Sequence, residues 1–312
     1  MSGSVLVQQR ATAAGSAIRV PKHATPKIVA RKVSKLYPTP GSRKDFTTVL
    51  DGFDLTIHDG EFLSLLGPSG CGKSTFLNIL AGLDSYNGGS VRLDGEQVTG
   101  VNKNVGVVFQ GYALFPWLTA QKNVEVGLKI RGVGKAERRE RAAEVLKTVG
   151  LSAAADRLPH QLSGGMRQRA AIARVLAYDP EVLVFDEPFA ALDAQTREFL
   201  QGELLRIWES GEKKKTILFV THSIDEAIFL SDRIAVMTKA PGAVKTLLDV
   251  ELDRPRTQSL RSSEEFAHIR ARVAGILAEE KEFMMEALHA DGWRLVDEIV
   301  EDAWWSITIA KA

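Results

Sequence analysis

Cysteine is nearly absent: Cys71 is the single one in 312 residues. A disulfide within the chain needs two cysteines and a thiolate-ligated metal needs several, so both are excluded. The composition suits a reducing compartment. No stretch approaches the ~20 apolar residues that a bilayer-crossing helix requires, and no apolar signal-peptide core follows the N-terminus. Any membrane association is therefore expected to be peripheral. An excess of charge is missing too, with 40 Lys and Arg against 39 Asp and Glu, a net charge of +1. That balance gives no reason to expect nucleic acid as a partner. What remains is an ordinary globular mixture, 45% hydrophobic and 25% charged, long enough for one large domain and an appendage.

The organising stretch is Gly67-Pro68-Ser69-Gly70-Cys71-Gly72-Lys73-Ser74-Thr75, which fits G-x-x-x-x-G-K-[ST]. Glu61–Leu66 before it reads as a buried strand, and Phe76–Leu83 after it as an apolar helix starting at the lysine. In that context the glycines let backbone N–H groups point inward at close range. The helix N-terminus favours an anion, Lys73 reaches the β- and γ-phosphates of ATP, and Ser74 is a ligand for Mg2+. Cys71 sits where a small side chain is wanted. Beside a cation and a helix N-terminus it is expected to ionise readily.

Further chemistry stands at the ends of apolar runs. Asn104–Phe109 is a strand stopping at Gln110, well placed to touch a ligand at a sheet edge. Glu181–Phe185 ends in Asp186-Glu187, an acid suited to hold Mg2+ followed by one suited to deprotonate water. Thr216–Thr221 ends in His222, and Ser223-Ile-Asp-Glu226 fits a capping box that opens a helix. Leu162-Ser163-Gly164-Gly165-Met-Arg-Gln168 opens another helix, with Ser163 as N-cap and bare amides at the two glycines. One triphosphate loop plus a second anion-seeking helix start points to a site shared between two chains. Tyr37 offers a ring that can stack on adenine. Gly111–Leu118 is unusually aromatic for a loop and suits protein docking, whereas Lys135–Lys147 is a solvated helix face. Residues 1 to 26 read as a disordered basic tail, because the chain up to and including Lys35 holds seven Lys and Arg and no acid.

These motifs, in this order and spacing, resemble the ATP-binding subunits of ABC transporters: Gly67–Thr75 as Walker A, Gln110 as Q-loop, Leu162–Gln168 as signature, Val182–Glu187 as Walker B, Ala191-Leu-Asp193 as D-loop and His222 as switch histidine. The resemblance covers about residues 27 to 250. Phe115–Thr119, His160–Arg169, Phe189–Ala194, and Arg254–Thr257 followed by Arg261–Phe266, are similar to the nitrate, sulfonate and taurine branch of importers. Ala190 departs from the commoner glycine, and the N-terminal tail is longer than usual. Two ABC ATPases without a transport role resemble it less. The translation type carries tandem cassettes, and the DNA-repair type carries a long coiled coil between Walker A and signature.

The resemblance implies an α/β P-loop ATPase with a mixed central sheet, an antiparallel β subdomain, a helical subdomain at about 112 to 175, and a mainly helical extension over 251–312. It implies ATP and Mg2+ as cofactors, with Ser74, Gln110 and Asp186 around the metal, Glu187 as base, and Lys73, Gln110 and His222 at the γ-phosphate. Leu162, Ser163, Gly164, Gly165 and Gln168 act on the ATP of a second copy or a homologous subunit, beside Asp193. Permease subunits are the direct partners and a solute-binding protein an indirect one, which places the chain at the cytoplasmic face of the cell membrane. In the extension, Ser262–Glu265 fits a capping box, Phe283, Met284 and Leu288 suggest a second short helix, Trp293–Trp305 a third, and Ser306–Ala310 a strand.

Overall fold

A computed structural model describes residues 25–39, 41, 44–190, 192–209, 214–290, 293–301 and 304–311, with side chains as far as Glu279. The basic tail lies outside the described residues up to position 24, as does Ala191 of the D-loop. In chain order the elements are β1 (Pro26–Pro38), β2 (Phe46–His58), β3 (Phe62–Leu66), α1 (Lys73–Leu80), β4 (Gly88–Leu93), β5 (Glu96–Gln97), β6 (Val105–Val108), α2 (Ala120–Ile130), α3 (Lys135–Thr148), α4 (Gly164–Leu176), β7 (Val182–Asp186), α5 (Ala194–Glu209), β8 (Thr216–Thr221), α6 (Ile224–Leu230), β9 (Arg233–Met237), β10 (Val244–Asp249), α7 (Glu264–Ala290), β11 (Trp293–Glu301) and β12 (Trp304–Lys311).

The central sheet has six strands in the order β10-β9-β3-β8-β7-β6. Its β9-β3, β3-β8, β8-β7 and β7-β6 pairs are parallel, and only β10 runs antiparallel. Strands such as Phe62-Leu-Ser-Leu-Leu66 are apolar without alternation because both faces are covered. Phe62 and Leu66 pack on one side with Phe185, Phe219 and Trp208, while Leu63 and Leu65 pack on the other with Phe53 and Phe76. The lone polar residue of β3, Ser64, accepts from Ser231 Oγ at 2.6 Å. The antiparallel sheet β2-β1-β4-β5 covers the second face. Helices α2, α3 and α4 close their own apolar cluster, including Val124, Leu146 and Ala170, and form the expected helical subdomain.

The C-terminal segment packs on the central sheet's helical face. Phe266, Val273 and Leu277 of α7 belong to the same buried cluster as Phe229 and Trp208. Buried Arg256 donates to the carbonyls of Ile228, Phe229 and Ser231 at the C-terminal end of α6; burial and neighbouring Arg254 lower its pKa to about 10. The extension differs from expectation in three places. Ser263, not Ser262, caps α7, its Oγ accepting from Phe266 N at 3.2 Å. The suggested second helix is a continuation of α7. The third helix expected over 293–305 is instead the hairpin β11-β12, paired from Trp293↔Lys311 to Glu301↔Trp304. Its Trp, Val and Ile content suits a strand as well as a helix, and an adjacent partner strand decides the matter.

Candidate functional site

Parallel order brings the ends of four strands to one edge of the sheet. Leu66 of β3 lies opposite Thr221 of β8, Asp186 of β7 opposite Val220 of β8, and Val108 of β6 opposite Phe185 of β7. The phosphate loop, His222, Asp186-Glu187 and Gln110 therefore leave the sheet side by side, as ligand sites in open α/β sheets do.

The loop from Gly67 to Gly72 is shaped by what glycine permits. Gly70 and Gly72 have φ of +78° and +98°, and Gly72 is the left-handed residue that caps α1. A Cβ on Gly72 would meet Leu50 Cδ2 at 2.6 Å, and one on Gly67 would meet Cys71 Sγ and Met237 Cβ at 2.9 Å. The α1 amides are uncapped by any side chain, which leaves a cradle of donors for an anion. Lys73 folds back over the loop, donating from Nζ to the carbonyls of Gly67 at 2.5 Å and Pro68 at 2.9 Å. Ser74 Oγ donates to Asp186 Oδ1 at 3.0 Å. Burial pushes the Asp186 carboxyl up. A hydroxyl and a carboxylate meeting at the phosphate cradle are the hard oxygen donors that Mg2+ takes. Among the described residues there is no cluster of three or more His, Cys, Asp or Glu that could hold a metal ion.

Cys71 behaves otherwise than expected. Its side chain is 1% exposed, with Sγ 3.9 Å from Met237 Sδ. Burial raises its pKa, outweighing the opposing charge of Lys73. The thiol points into the core beside Met237, so burial outweighs the nearby cation.

Glu187 stands in the left-handed region at φ +44°, held by its N–H donating to Val220 O at 3.0 Å. Its Oε2 lies 3.4 Å from His222 Nδ1 and 3.4 Å from Gln110 Nε2. The hydrogen bond from His222 holds the Glu187 carboxyl below the usual range, and the same bond lifts His222 above its own. Both shifts describe one charged pair. Gln110, expected beside Mg2+, here touches the would-be base instead.

Tyr37 stands half-buried at the end of β1, its hydroxyl bonded to Asp84 and its ring lying 4.6 Å beneath Lys35 Nζ. Ser163 caps α4 as read, its Oγ accepting from Met166 N at 3.3 Å, with Gly164 and Gly165 in the first turn. Leu162 and Gln168 are buried at 4% and 2% exposure. Asp193 is exposed and caps α5 by accepting from Thr196 N at 2.9 Å.

The capping box at Ser223 is only half made. Ser223 Oγ accepts from Glu226 N at 3.3 Å, but the Glu226 carboxyl turns inward to Thr221 and Gln201. Sequence reasoning missed that trio. The signal was a hydroxyl directly before His222 and a carboxyl five residues on.

A family model described as ABC transporter matches residues 50–190. An uncharacterised ABC transporter ATP-binding protein of Methanocaldococcus jannaschii is 50% identical over 254 residues, covering 81% of this chain and 92% of that protein. The chain belongs to the ABC transporter ATP-binding proteins. It is an ATPase subunit of that family, whose chemistry is ATP hydrolysis coupled to transport. The bicarbonate transport ATP-binding protein CmpD of Synechococcus elongatus is 47% identical over 234 residues, covering 74% of this chain and 82% of that one. Among solved structures, a dimeric ATP-binding cassette in a post-hydrolysis state with ADP and Pi is 35% identical, with TM-score 0.65, covering 72% of this chain and 100% of its own. The ABC fold explains why the phosphate loop and the α4 start lie on different subdomains. No helix among the described residues is long and apolar enough to cross a membrane.

Proposed function

We propose that two copies of this chain, or one copy and a homologous subunit, close on two ATP molecules and drive an importer for a small solute of the bicarbonate, nitrate, sulfonate or taurine kind. The observation that carries the reading is the meeting of Gln110, Glu187 and His222 at the ends of neighbouring strands beside the phosphate loop. The dimeric cassette and the bicarbonate transport relative support the assembly and the branch.

Within this reading each residue has a task. The amides of Gly67 to Thr75 bind the phosphates, and Lys73 Nζ exchanges its two loop carbonyls for β- and γ-phosphate oxygens. Ser74 Oγ, Asp186 and Gln110 would hold Mg2+, which would supply positive charge beside those phosphates. Glu187 Oε2 orients the attacking water and takes its proton. His222, whose pKa the hydrogen bond to Glu187 raises, donates a ring N–H to the γ-phosphate. Tyr37 stacks on adenine once Lys35 vacates its face. Ser163 to Gly165 of the partner, with Leu162 and Gln168 fixing the start of α4, complete the γ-phosphate shell, and Asp193 joins the contact between copies.

The apolar groove holding Phe109, Phe115, Val126 and Tyr178, with Trp117 72% exposed at its side, receives the permease. The chain thus works at the cytoplasmic face of the membrane, and solute selectivity lies in a binding protein and permease. Glu187→Gln tests the catalytic core by keeping shape and removing the carboxylate. ATP binding should persist, turnover should fall by about 100-fold or more, and MgATP should shift the variant to dimer size in gel filtration. Near-normal turnover would refute the assignment of the base.

A further inference from the structure

A chain of buried hydrogen bonds runs from the C-terminal segment to the turn that carries His222. Arg261 Nη2 donates to Gln201 Oε1 at 2.6 Å. Gln201 Nε2 donates to Glu226 Oε1 at 3.2 Å. Thr221 Oγ1 donates to Glu226 Oε2 at 2.6 Å and accepts from Ser223 N at 3.0 Å. The bond to Ser223 N arches over His222, so the Thr221 hydroxyl pins the backbone on both sides of the histidine. Thr221, Gln201 and Glu226 are 2%, 1% and 6% exposed, so water does not compete for these bonds.

Donor order in the chain leaves little freedom. The Thr221 hydroxyl has one proton, and its place is fixed by Glu226. The Gln201 carbonyl is occupied by Arg261, so its amide must point at Glu226. Glu226 accepts at both oxygens, and Arg197 Nε stands 3.9 Å from Oε1. The C-terminal segment also grips α6 at both ends. Arg256 fills the carbonyls at its C-terminus, and Arg270 pairs with Asp225 in its first turn.

We infer that Glu226, through Thr221, is a positioning residue for His222, and that Gln201 and Arg261 extend this positioning to the C-terminal segment. The inference rests on the reading of His222 given under Proposed function. A switch histidine that has to meet the γ-phosphate needs its main chain held, because a displacement of about 1 Å at a reacting group can cost on the order of 100-fold in rate. Here the holding group is a carboxyl outside the nucleotide site, and it is linked to a segment that follows all the nucleotide-binding motifs.

Glu226→Gln keeps the shape and turns one acceptor into an amide donor. That donor must face either the Gln201 amide or the Thr221 hydroxyl. In the full-length chain, kcat for ATP should fall about tenfold while KM for ATP stays within about twofold. Thr221→Val should reproduce the loss and Thr221→Ser should restore most of the rate, which keeps the test open should Glu226→Gln fold poorly. Arg261→Met, which keeps a long stem beside the Phe229 ring, should lower kcat by about threefold.

The deciding measurement is the double-mutant cycle with His222→Ala, read by phosphate release from radiolabelled ATP. Glu226→Gln should add less than about twofold loss in the His222→Ala background. The same tenfold loss in both backgrounds, or wild-type kcat in Glu226→Gln, overturns the positioning role while leaving His222 in place. Unchanged kcat in Arg261→Met removes the C-terminal segment from the chain. Wild-type kcat in His222→Ala would instead overturn the reading of His222, and the positioning role with it.

Discussion

Cutting the chain once just before α7 and once within it separates core from appendage. Phe266 and Val273 are fully buried and Leu277 is 6% exposed, all in the cluster that holds Trp208 and Phe229. Burying each such side chain contributes about 2 kcal/mol, so ending the chain after Ser262 forfeits about 6 kcal/mol. The partner surfaces they cover would be bared as well. The Arg270–Asp225 pair is half exposed and adds less than about 1 kcal/mol. A domain is stable by only about 5 to 15 kcal/mol in all, so residues 1–262 should lose at least about 40% of their stability. Ending the chain after Glu280 keeps all three side chains and every nucleotide-binding motif. Urea unfolding followed by tryptophan fluorescence, together with binding of a fluorescent ATP analogue, checks both. The 1–280 chain should bind the nucleotide and unfold near the full-length midpoint, and the 1–262 chain should unfold at a much lower urea concentration. A 1–262 chain with the full-length midpoint, or a 1–280 chain blind to nucleotide, refutes the reasoning.

Three further outcomes are expected. Cys71 should resist maleimide in the native protein with or without MgATP and react fully once urea unfolds the chain, as mass spectrometry would report; rapid native labelling would contradict its burial. Gly242→Ala should weaken ATP binding and cost about 1 to 3 kcal/mol of stability, because a Cβ there would lie 1.9 Å from the Cys71 carbonyl oxygen; unchanged binding and melting temperature would count against the close packing. His222 is raised above 6.5 and Glu187 lowered below 4.5, so the pair's stabilisation is full between those values, fading as pH rises through the histidine's raised value or falls through the glutamate's lowered one. Melting temperature from about pH 5 to about pH 8.5 should therefore decline less on the alkaline side in Glu187→Gln than in the parent, and parallel curves would show the pair to be uncoupled.

The site was legible where residue spacing and backbone chemistry coincide. G-x-x-x-x-G-K-[ST] after an apolar run places a glycine loop on a strand end, and α1 does begin at Lys73. Gln110, Asp186 and His222 each stop an apolar run, and apolar runs in a parallel sheet end at one edge. What the spacing does not contain is side-chain direction. Cys71 lies in the loop by sequence, yet its Sγ meets Met237 from β9, a contact across 166 positions. Glu226 fits a capping box, but the buried Thr221 hydroxyl takes both partners, donating to Glu226 and accepting from the Ser223 N–H that the box would have used. Residues 293–305 carry apolar spacing compatible with helix and strand alike, and only the pairing with β12 resolves it.

Strand order explains why the catalytic candidates form a charged group rather than separate contacts. In the chain, β7 precedes β8, but in the sheet β8 lies between β3 and β7. His222, the last of these residues in sequence, is thereby set between the phosphate loop and Glu187, while β6 on the far side of β7 brings Gln110 to the same carboxylate. Glu187 reaches both only by leaving β7 at φ +44°, a conformation that costs a non-glycine residue on the order of 1 kcal/mol or more. Its N–H bond to Val220 of β8 offsets that cost. The strand that carries the histidine thus also holds the turn of the base, and a disturbance of β8 reaches both residues together.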